Sequence, residues 1–198
     1  MKDTTEYRGF WIKIERDEHP TSPRENDNIG TMVCKHRRYK LGDIQDIDQD
    51  EFDRIRNSSD YISLPIYMYE HSGITISTKP FSCHWDSGLL GMIYVEAKKA
   101  KKEYGKQFSI QAVTERLNAE VKEYDQYLTG DVWGYSIYDK NPEENKDIEW
   151  IHECDGPFFG EDYCIEEAKR MVDYYADKKL KEFIPGMEPE ELKKDALV

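Results

Sequence analysis

Apolar residues recur with helical spacing in two long segments of the chain. Between residues 110 and 128 they follow one another at steps of three or four, at Ile110, Val113, Leu117, Val121, Tyr124 and Leu128. Ser109 is a favoured N-cap for this helix, and Gly130 is a favoured C-terminal stop. A second periodic segment follows the N-cap candidate Asp162 and ends at Pro185-Gly186. The pattern therefore predicts two long amphipathic helices.

Alternating or β-branched apolar runs predict strands between these helices and before them. The predicted strands cover residues 9–15, 31–39, 60–71, 74–77, 92–95, 132–138 and 148–154, with short helices at 42–56 and 96–104. Ser72-Gly73 predicts a hairpin turn. Because strands and helices do not alternate as in βαβ units, the sequence predicts an α+β fold, a mainly antiparallel sheet with two principal long helices packed on it.

A length of 198 residues suits a single domain over residues 1–198. Residues 17–30 are rich in Pro, Ser, Asn and Asp and predict a flexible loop, and residues 185–198 predict a frayed C-terminal tail. An aromatic share of 13% is enough to supply a core in a chain of modest aliphatic content. Because the sequence shows no apolar signal segment and no membrane span, we expect the protein to lie in the cytoplasm of a host bacterium, with its four cysteines reduced.

The charge of the chain is strongly negative, with 41 acidic and 28 basic side chains and a formal net charge of −13. Such a field repels nucleic-acid phosphates and acidic membranes and favours a basic protein partner. The alternative is that the acidity serves solubility alone. The charge is also uneven, because residues 41–60 carry −5 and residues 131–198 carry −10, whereas the other segments are near neutral.

Each acidic block supplies candidate partner-binding residues. In the first block, Asp43, Asp46, Asp50 and Asp53 are spaced by 3, 4 and 3 residues. On a helix they would share one face with neighbours about 5–6 Å apart, as a row of carboxylates that imitates a row of phosphates. A solvated helix face is the alternative. In the second block, the candidates are Glu143, Glu144, Asp147 and Glu149.

Three Cys–His neighbours raise the question of a metal site: Cys34 with His36, Cys83 with His84, and His152 with Cys154. Thiolate and imidazole are zinc ligands, but none of these pairs has the spacing usual in zinc sites. Buried cysteines beside incidental histidines are the favoured interpretation. We therefore predict no metal and no cofactor.

Catalytic signatures are weak as well. Residues 82–88 place Cys, His, Asp and Ser side by side, but adjacent residues rarely converge as a catalytic triad, so we expect a tight turn with Trp85 packed. Residues 46–50 resemble the start of an EF-hand loop, yet Glu51 stands where the loop needs glycine. We predict no catalytic residues and no enzyme. A metal- or cysteine-dependent enzyme is the alternative.

Three segments resemble uncharacterised proteins of phages and mobile elements. They are ISLPIYMYEHSGITISTKPFSCHWDSGLLGMIYV at residues 62–95, EYDQYLTGDVWGY at 123–135 and YCIEEAK at 163–169. The resemblance implies a setting in which small acidic inhibitors of host defence are common, among them anti-CRISPR proteins that occupy basic nucleic-acid channels. It assigns no functional residue.

Charge and resemblance together favour an acidic inhibitor of a host defence nuclease. We expect its partner to be a basic nucleic-acid-processing effector such as a Cas9-type nuclease, bound by partial DNA mimicry. Direct nucleic-acid binding by the chain alone is not expected. A structural or regulatory phage protein is a further alternative, and it fits a homo-oligomer formed through the aromatic strand at residues 61–69.

Overall fold

The computed structural model describes residues 4–83, 85–145 and 147–183, with side chains up to Lys178. The chain divides into two compact units. The terminal unit joins residues 1–20 to residues 131–198, and the central unit comprises residues 21–130. Along the described residues the helices and strands are β1 (Thr4–Tyr7), β2 (Phe10–Arg16), β3 (Thr31–Cys34), α1 (Gln49–Asn57), β4 (Tyr61–Glu70), β5 (Ile74–Ser77), β6 (Ser87–Glu96), α2 (Ala97–Tyr104), α3 (Ile110–Thr129), β7 (Val132–Tyr138), β8 (His152–Phe159) and α4 (Glu161–Phe183).

The terminal unit is one antiparallel sheet with strand order β1-β2-β7-β8 and helix α4 on one face. Because side chains alternate along a strand, β2 and β7 send Ile12, Ile14 and Ile137 to the face that packs on Ala168 and Val172 of α4. Their neighbours along each strand face the opposite side. This outer face, which α4 does not cover, carries the polar and charged positions of β2, β7 and β8.

The central unit is a second antiparallel sheet, with strand order β3-β6-β4-β5. Helix α3 packs one face of this sheet with the side chains that the sequence pattern assigns to it: Val113, Leu117, Val121 and Tyr124. Helix α1 packs on the other face, where Phe52 and Ile55 contact Val33 and Met92. That second contact lies on β3, on β6 and on Tyr61 at the start of β4, so the later part of β4 lies outside the α1 cluster.

The predicted α+β class is confirmed. Where the apolar pattern predicts one sheet, the described residues form two four-stranded antiparallel sheets, each with one of the two long helices. The chain divides into two compact units, and the prediction that residues 1–198 form a single domain stays a prediction. Residues 17–30, expected as a flexible loop, include a turn of 3-10 helix at Pro23–Glu25. No helix of the described part is both long and apolar enough to cross a bilayer.

The boundaries of α3 agree with the sequence prediction. The Ser109 hydroxyl accepts a hydrogen bond from the Ala112 N–H at 3.0 Å, and Gly130 ends the helix with φ +71°. Helix α4 begins one residue before its predicted cap Asp162, at Glu161. The predicted stop at Pro185-Gly186 and the tail at 185–198 lie outside the described residues.

The predicted helix over residues 42–56 is shorter in the structure and begins at Gln49. Its cap is Asp48, whose carboxylate accepts a hydrogen bond from the Asp50 N–H at 2.8 Å. Upstream, the N–H groups of Asp43 and Ile44 both donate to the Met32 carbonyl, at 2.8 and 3.1 Å. A backbone that bonds to strand β3 cannot also close helical hydrogen bonds. The prediction that Asp43, Asp46, Asp50 and Asp53 share one helix face is therefore wrong.

Three strand boundaries also differ from the prediction. The strand predicted over 92–95 begins earlier, at Ser87, and runs to Glu96. The strand predicted over 31–39 ends at Cys34, and the basic residues that follow form a loop. The strand predicted over 148–154 lies at His152–Phe159, past the acidic stretch. Pro157 is tolerated there because it lies where the pairing of edge strand β8 with β7 is interrupted, between the Cys154–Tyr135 and Phe158–Trp133 pairs, so its missing N–H costs no ladder bond.

Candidate interaction surfaces

Acidic and basic side chains are divided unequally between the two units. The terminal unit carries 24 acidic and 13 basic residues, a formal charge of −11, and the central unit carries 17 and 15, a formal −2. Nearly all of the net charge of the chain therefore belongs to the terminal unit. Its field acts on a partner over roughly one Debye length, about 8 Å at physiological ionic strength.

The most concentrated acidic segment is the loop between β7 and β8. All four candidate residues of the second block lie in it and are exposed: Glu143, Glu144, Asp147 and Glu149. None of them takes part in a salt bridge with another described residue. Asn141 orders the loop, since its Oδ1 accepts from the Glu143 N–H at 3.0 Å and its Nδ2 donates to Glu144 at 3.2 Å.

Two large apolar side chains adjoin this loop. Trp150 is 52% exposed and Ile151 is 37% exposed. Exposed aromatic residues inside a ring of polar side chains are typical of the points where a protein interface concentrates its binding free energy. The loop thus combines carboxylates for a basic surface with an apolar anchor.

The outer face of the same sheet carries a second group of acids, around a cleft of about 310 Å³. Gly134 forms its floor, between β2 and β8. A Cβ at Gly134 would lie 2.9 Å from the carbonyl oxygens of Cys154 and Asp155, so no larger residue fits there without moving the backbone. The acids that line this cleft are Glu15, Asp17, Glu18, Glu153 and Asp155.

Glu15 and Asp155 lie on strands either side of β7, which places their backbones about 10 Å apart. Of these acids, Glu15 is paired with Lys13 at 2.7 Å. We call the cleft acids together with the four loop acids the acidic face. Such a surface suits a lysine- or arginine-rich partner.

The first acidic block does not form the row expected from its spacing. Asp43 is drawn into a structural network: its carboxylate accepts two hydrogen bonds from Arg24, at 2.5 and 2.9 Å, and one from the Met32 N–H at 2.7 Å. Asp53 of α1 pairs with Arg56 at 3.3 Å. Asp46 precedes the helix and Asp50 lies in its first turn, both exposed. Much of this block is therefore neutralised locally.

The network around Arg24 was not predicted from the sequence. Its guanidinium side chain is 7% exposed and also pairs at 3.1 Å with Glu120, a fully buried residue of α3. Burial lowers the pKa of Arg24, but the carboxylates of Asp43 and Glu120 outweigh burial, so the pKa lies above its ordinary value. The Glu120 carboxylate also accepts from the N–H groups of Ile29 and Gly30, at 2.9 and 3.2 Å. Together these bonds hold residues 21–30 against helix α3.

The cysteine and histidine candidates are divided between the units. Cys34, His36 and Cys83 belong to the central unit, and His152 and Cys154 to the terminal unit. His84 lies outside the described residues. Within the described part, no group of three His, Cys, Asp or Glu side chains is arranged to hold a metal ion. His152 instead contacts the hydroxyl of Tyr175 at 3.3 Å.

Cys34 and Cys164 are fully buried, and burial raises the pKa of each thiol from 9.0 to about 12. A thiol needs its thiolate form to act as a nucleophile or a ligand. These two cysteines are therefore core residues.

The largest departure from the sequence prediction within the loop at 78–86 is Trp85. It was expected to be packed, and that prediction is wrong, since its side chain is 97% exposed. The loop is closed without it, because the Ser87 hydroxyl bonds to the Cys83 carbonyl and the His71 ring lies 3.5 Å from the Asp86 carboxylate. Local sequence gave no signal for the orientation of this indole.

Comparison of the chain with protein-family models, with curated proteins and with solved structures finds no match. The resemblance to phage and mobile-element proteins therefore stays a prediction. A functional proposal must therefore rest on the geometry and charge of each unit.

Proposed function

We propose that this chain is a binding protein that inhibits a nucleic-acid-processing enzyme of the Cas9 type by presenting its acidic face to the basic channel of that enzyme. The observation that carries the proposal is the segregation of charge: a formal −11 on the terminal unit, with exposed loop carboxylates that pair with no described cation. In this arrangement the protein competes with nucleic acid as a partial DNA mimic.

The binding free energy has two sources in this proposal. Carboxylates steer the protein to the basic channel and form exposed ion pairs, each worth about 0.2–1 kcal/mol. Trp150 and Ile151 supply apolar area that is lost from water on contact. Neutralising the four loop acids should therefore cost about 1–4 kcal/mol, or roughly 5- to 1,000-fold in affinity.

The acids of α1 are the second candidate contact within the same proposal. Asp46 and Asp50 are exposed and belong to the central unit. Since Arg54 and Arg56 offset Glu51 and Asp53 locally, we expect this block to contribute less than the loop.

Competition for DNA tests the proposal. A guide-loaded Cas9-type nuclease is titrated with a fluorescent target duplex in the presence of the wild-type protein and of three variants. The loop variant combines Glu143→Gln, Glu144→Gln, Asp147→Asn and Glu149→Gln; the helix variant combines Asp46→Asn, Asp50→Asn and Asp53→Asn; the control combines Asp162→Asn and Glu166→Gln on the exposed side of α4.

We expect the wild type to displace the duplex, with an effect that weakens as salt rises. The loop variant should lose most of this effect, the helix variant a smaller part and the control almost none. Absence of competition by the wild type would overturn the proposed target. Equal competition by the wild type and the loop variant would overturn the acidic face as the contact.

A further inference from the structure

Two loops of the central unit meet at the end of strand β4. The Glu70 N–H donates to the Asp86 carbonyl at 2.8 Å, which fixes the end of the loop that leads into β6. The Glu70 carboxylate accepts from Arg38 at 2.6 Å and from the Tyr39 hydroxyl at 3.2 Å, which fixes the loop at 35–40. Glu70 therefore holds both loops at one end of the sheet.

These loops expose flat aromatic groups. Trp85 is 97% exposed and Tyr39 is 38% exposed. The Tyr39 ring stacks on the His36 ring, with centroids 5.0 Å apart and planes inclined by 13°, and the Arg38 guanidinium lies 5.7 Å from its centroid. The planar groups of the 35–40 loop thus already form a short stack at the surface.

The adjoining sheet face continues this aromatic surface. Leu89 of β6 is 53% exposed and is paired in register with Tyr67 of β4. Two residues further along β4, Tyr69 packs on Phe81 at 5.8 Å. Helix α1 packs on this face at Val33 and Met92 and against Tyr61 and Tyr94, toward the other end of β4 from Tyr69. The two central strands of a four-stranded sheet therefore present rings and apolar groups on a partly open face.

Cations surround the same surface. The loop KHRRYK at residues 35–40 exposes Lys35, Arg37, Arg38 and Lys40. The nearby acids are already engaged, Glu70 by Arg38 and Tyr39 and Asp86 by His71. Among the described residues, Arg37 and Lys40 form no ion pair. This corner of an acidic chain is therefore locally positive.

We propose that this aromatic–basic surface, formed by residues 35–40, Tyr67, Tyr69, Trp85 and Leu89, binds single-stranded nucleic acid. Unpaired bases would stack on Trp85 and Tyr39, and phosphates would lie against Arg37 and Lys40. Exposed rings interleaved with cations are what single-strand binding uses, whatever the base sequence. An acidic polypeptide satisfies the cations but leaves Trp85 without a planar partner. A duplex keeps its bases stacked on one another and unavailable.

The net charge of the chain does not oppose this contact as strongly as its total suggests. The central unit has a formal charge of −2, and most of the excess acid belongs to the terminal unit. The inference uses residues of the central unit alone, so it stands or falls separately from the proposed role of the acidic face.

Fluorescence anisotropy of a labelled oligothymidylate of about 12 nucleotides, at about 50 mM salt, tests the inference on the full chain. The variants are Trp85→Ala and the pair Arg37→Gln with Lys40→Gln. Trp150→Ala is the matched control, an exposed tryptophan on the acidic terminal unit. Because Trp85 is almost fully exposed, its replacement leaves the core intact, and circular dichroism checks this.

We expect saturable binding by the wild type and by Trp150→Ala. Trp85→Ala should bind about 5- to 150-fold more weakly, the effect of losing one stacked base. The Arg37/Lys40 variant should lower the slope of log K against log salt by about 1.4, for two phosphates released from contact.

Three results would overturn the inference. They are no binding by the wild type, unchanged binding by Trp85→Ala, or displacement of the oligonucleotide by polyglutamate as effective as by unlabelled oligonucleotide. The last result would identify a docking site for acidic polypeptides. A dimer that buries Trp85 without any ligand would show up in the same samples by light scattering and would also count against it.

Discussion

Glu120 offers the sharpest test of how the central unit is held together. Its buried carboxylate accepts four hydrogen bonds, from the N–H groups of Ile29 and Gly30, from Arg24 at 3.1 Å and from Arg116 at 3.3 Å. Glu120→Gln keeps the shape but turns one acceptor oxygen into a donor. Each oxygen accepts from one backbone N–H and one arginine, so one N–H and one guanidinium lose their partner, and the buried Arg24 keeps only Asp43 as a counter-charge.

The cost follows from these contacts. An unsatisfied buried donor costs about 1–3 kcal/mol, and breaking a buried ion pair by removing one partner costs about 3–5 kcal/mol in all. Against a typical domain stability of about 5–15 kcal/mol, that is a large part of the total. We expect Glu120→Gln to lower the free energy of unfolding of the central unit by about 3–5 kcal/mol.

Urea unfolding and amide hydrogen exchange at Ile29 and Gly30 measure this effect, globally and at the two bonded N–H groups. Glu115→Gln is the control, because Glu115 is an exposed residue of the same helix, bonded only to Gln111 in the described contacts, and its loss should stay within about 0.5 kcal/mol. A loss below about 1 kcal/mol in Glu120→Gln, with normal protection of both N–H groups, would refute the reasoning.

Three further outcomes follow from the structure. Gly134→Ala should destabilise the terminal unit by about 1–3 kcal/mol, because the new Cβ would lie 2.9 Å from backbone carbonyl oxygens. Gly88→Ala should cause no such loss, because a Cβ there has no atom within 4 Å. Thermal unfolding compares the two variants, and equal midpoints would contradict the close approach at Gly134. Cys34 and Cys164 should resist iodoacetamide at pH 8 in the folded protein, and rapid labelling of both by mass spectrometry would argue against their burial. Burial raises the pKa of the Tyr135 hydroxyl from 10.0 to about 12. The neutral hydroxyl therefore contributes its full share of the folding free energy below pH 10, and this share is lost as the pH rises toward 12. A urea midpoint that stays constant over this pH range would contradict the shift.

Helix α3 could be predicted because its signals are local. Ser109, Gly130 and the apolar stripe between them lie within one continuous segment, and the structure uses all three. The two sheets could not be predicted in this way, since β2 pairs with β7, more than a hundred residues later in the chain. Strand pairing of that kind depends on tertiary contacts that hydrophobic periodicity does not encode.

The candidate surfaces divide in the same manner. The acidity of residues 131–198 is a matter of composition, and the exposure of Glu143 and its neighbours agrees with it. The convergence of Glu15 with Glu153 and Asp155 depends on sheet register and could not be foreseen. The helical spacing of Asp43 and the aspartates after it predicted a helix that does not form at Asp43. There, the carboxylate bonds to Arg24 and the backbone bonds to β3 instead.

The contact itself is the most direct test of the central claim that the acidic face meets a basic partner. Carbodiimide forms zero-length cross-links between carboxylates and lysines, and mass spectrometry locates them in a mixture with a guide-loaded Cas9-type nuclease. We predict that the cross-links on this chain concentrate on Glu143, Glu144, Asp147, Glu149 and Glu153. Cross-links confined to Asp50 and Asp53, or to Asp162 and Glu166, would contradict the account.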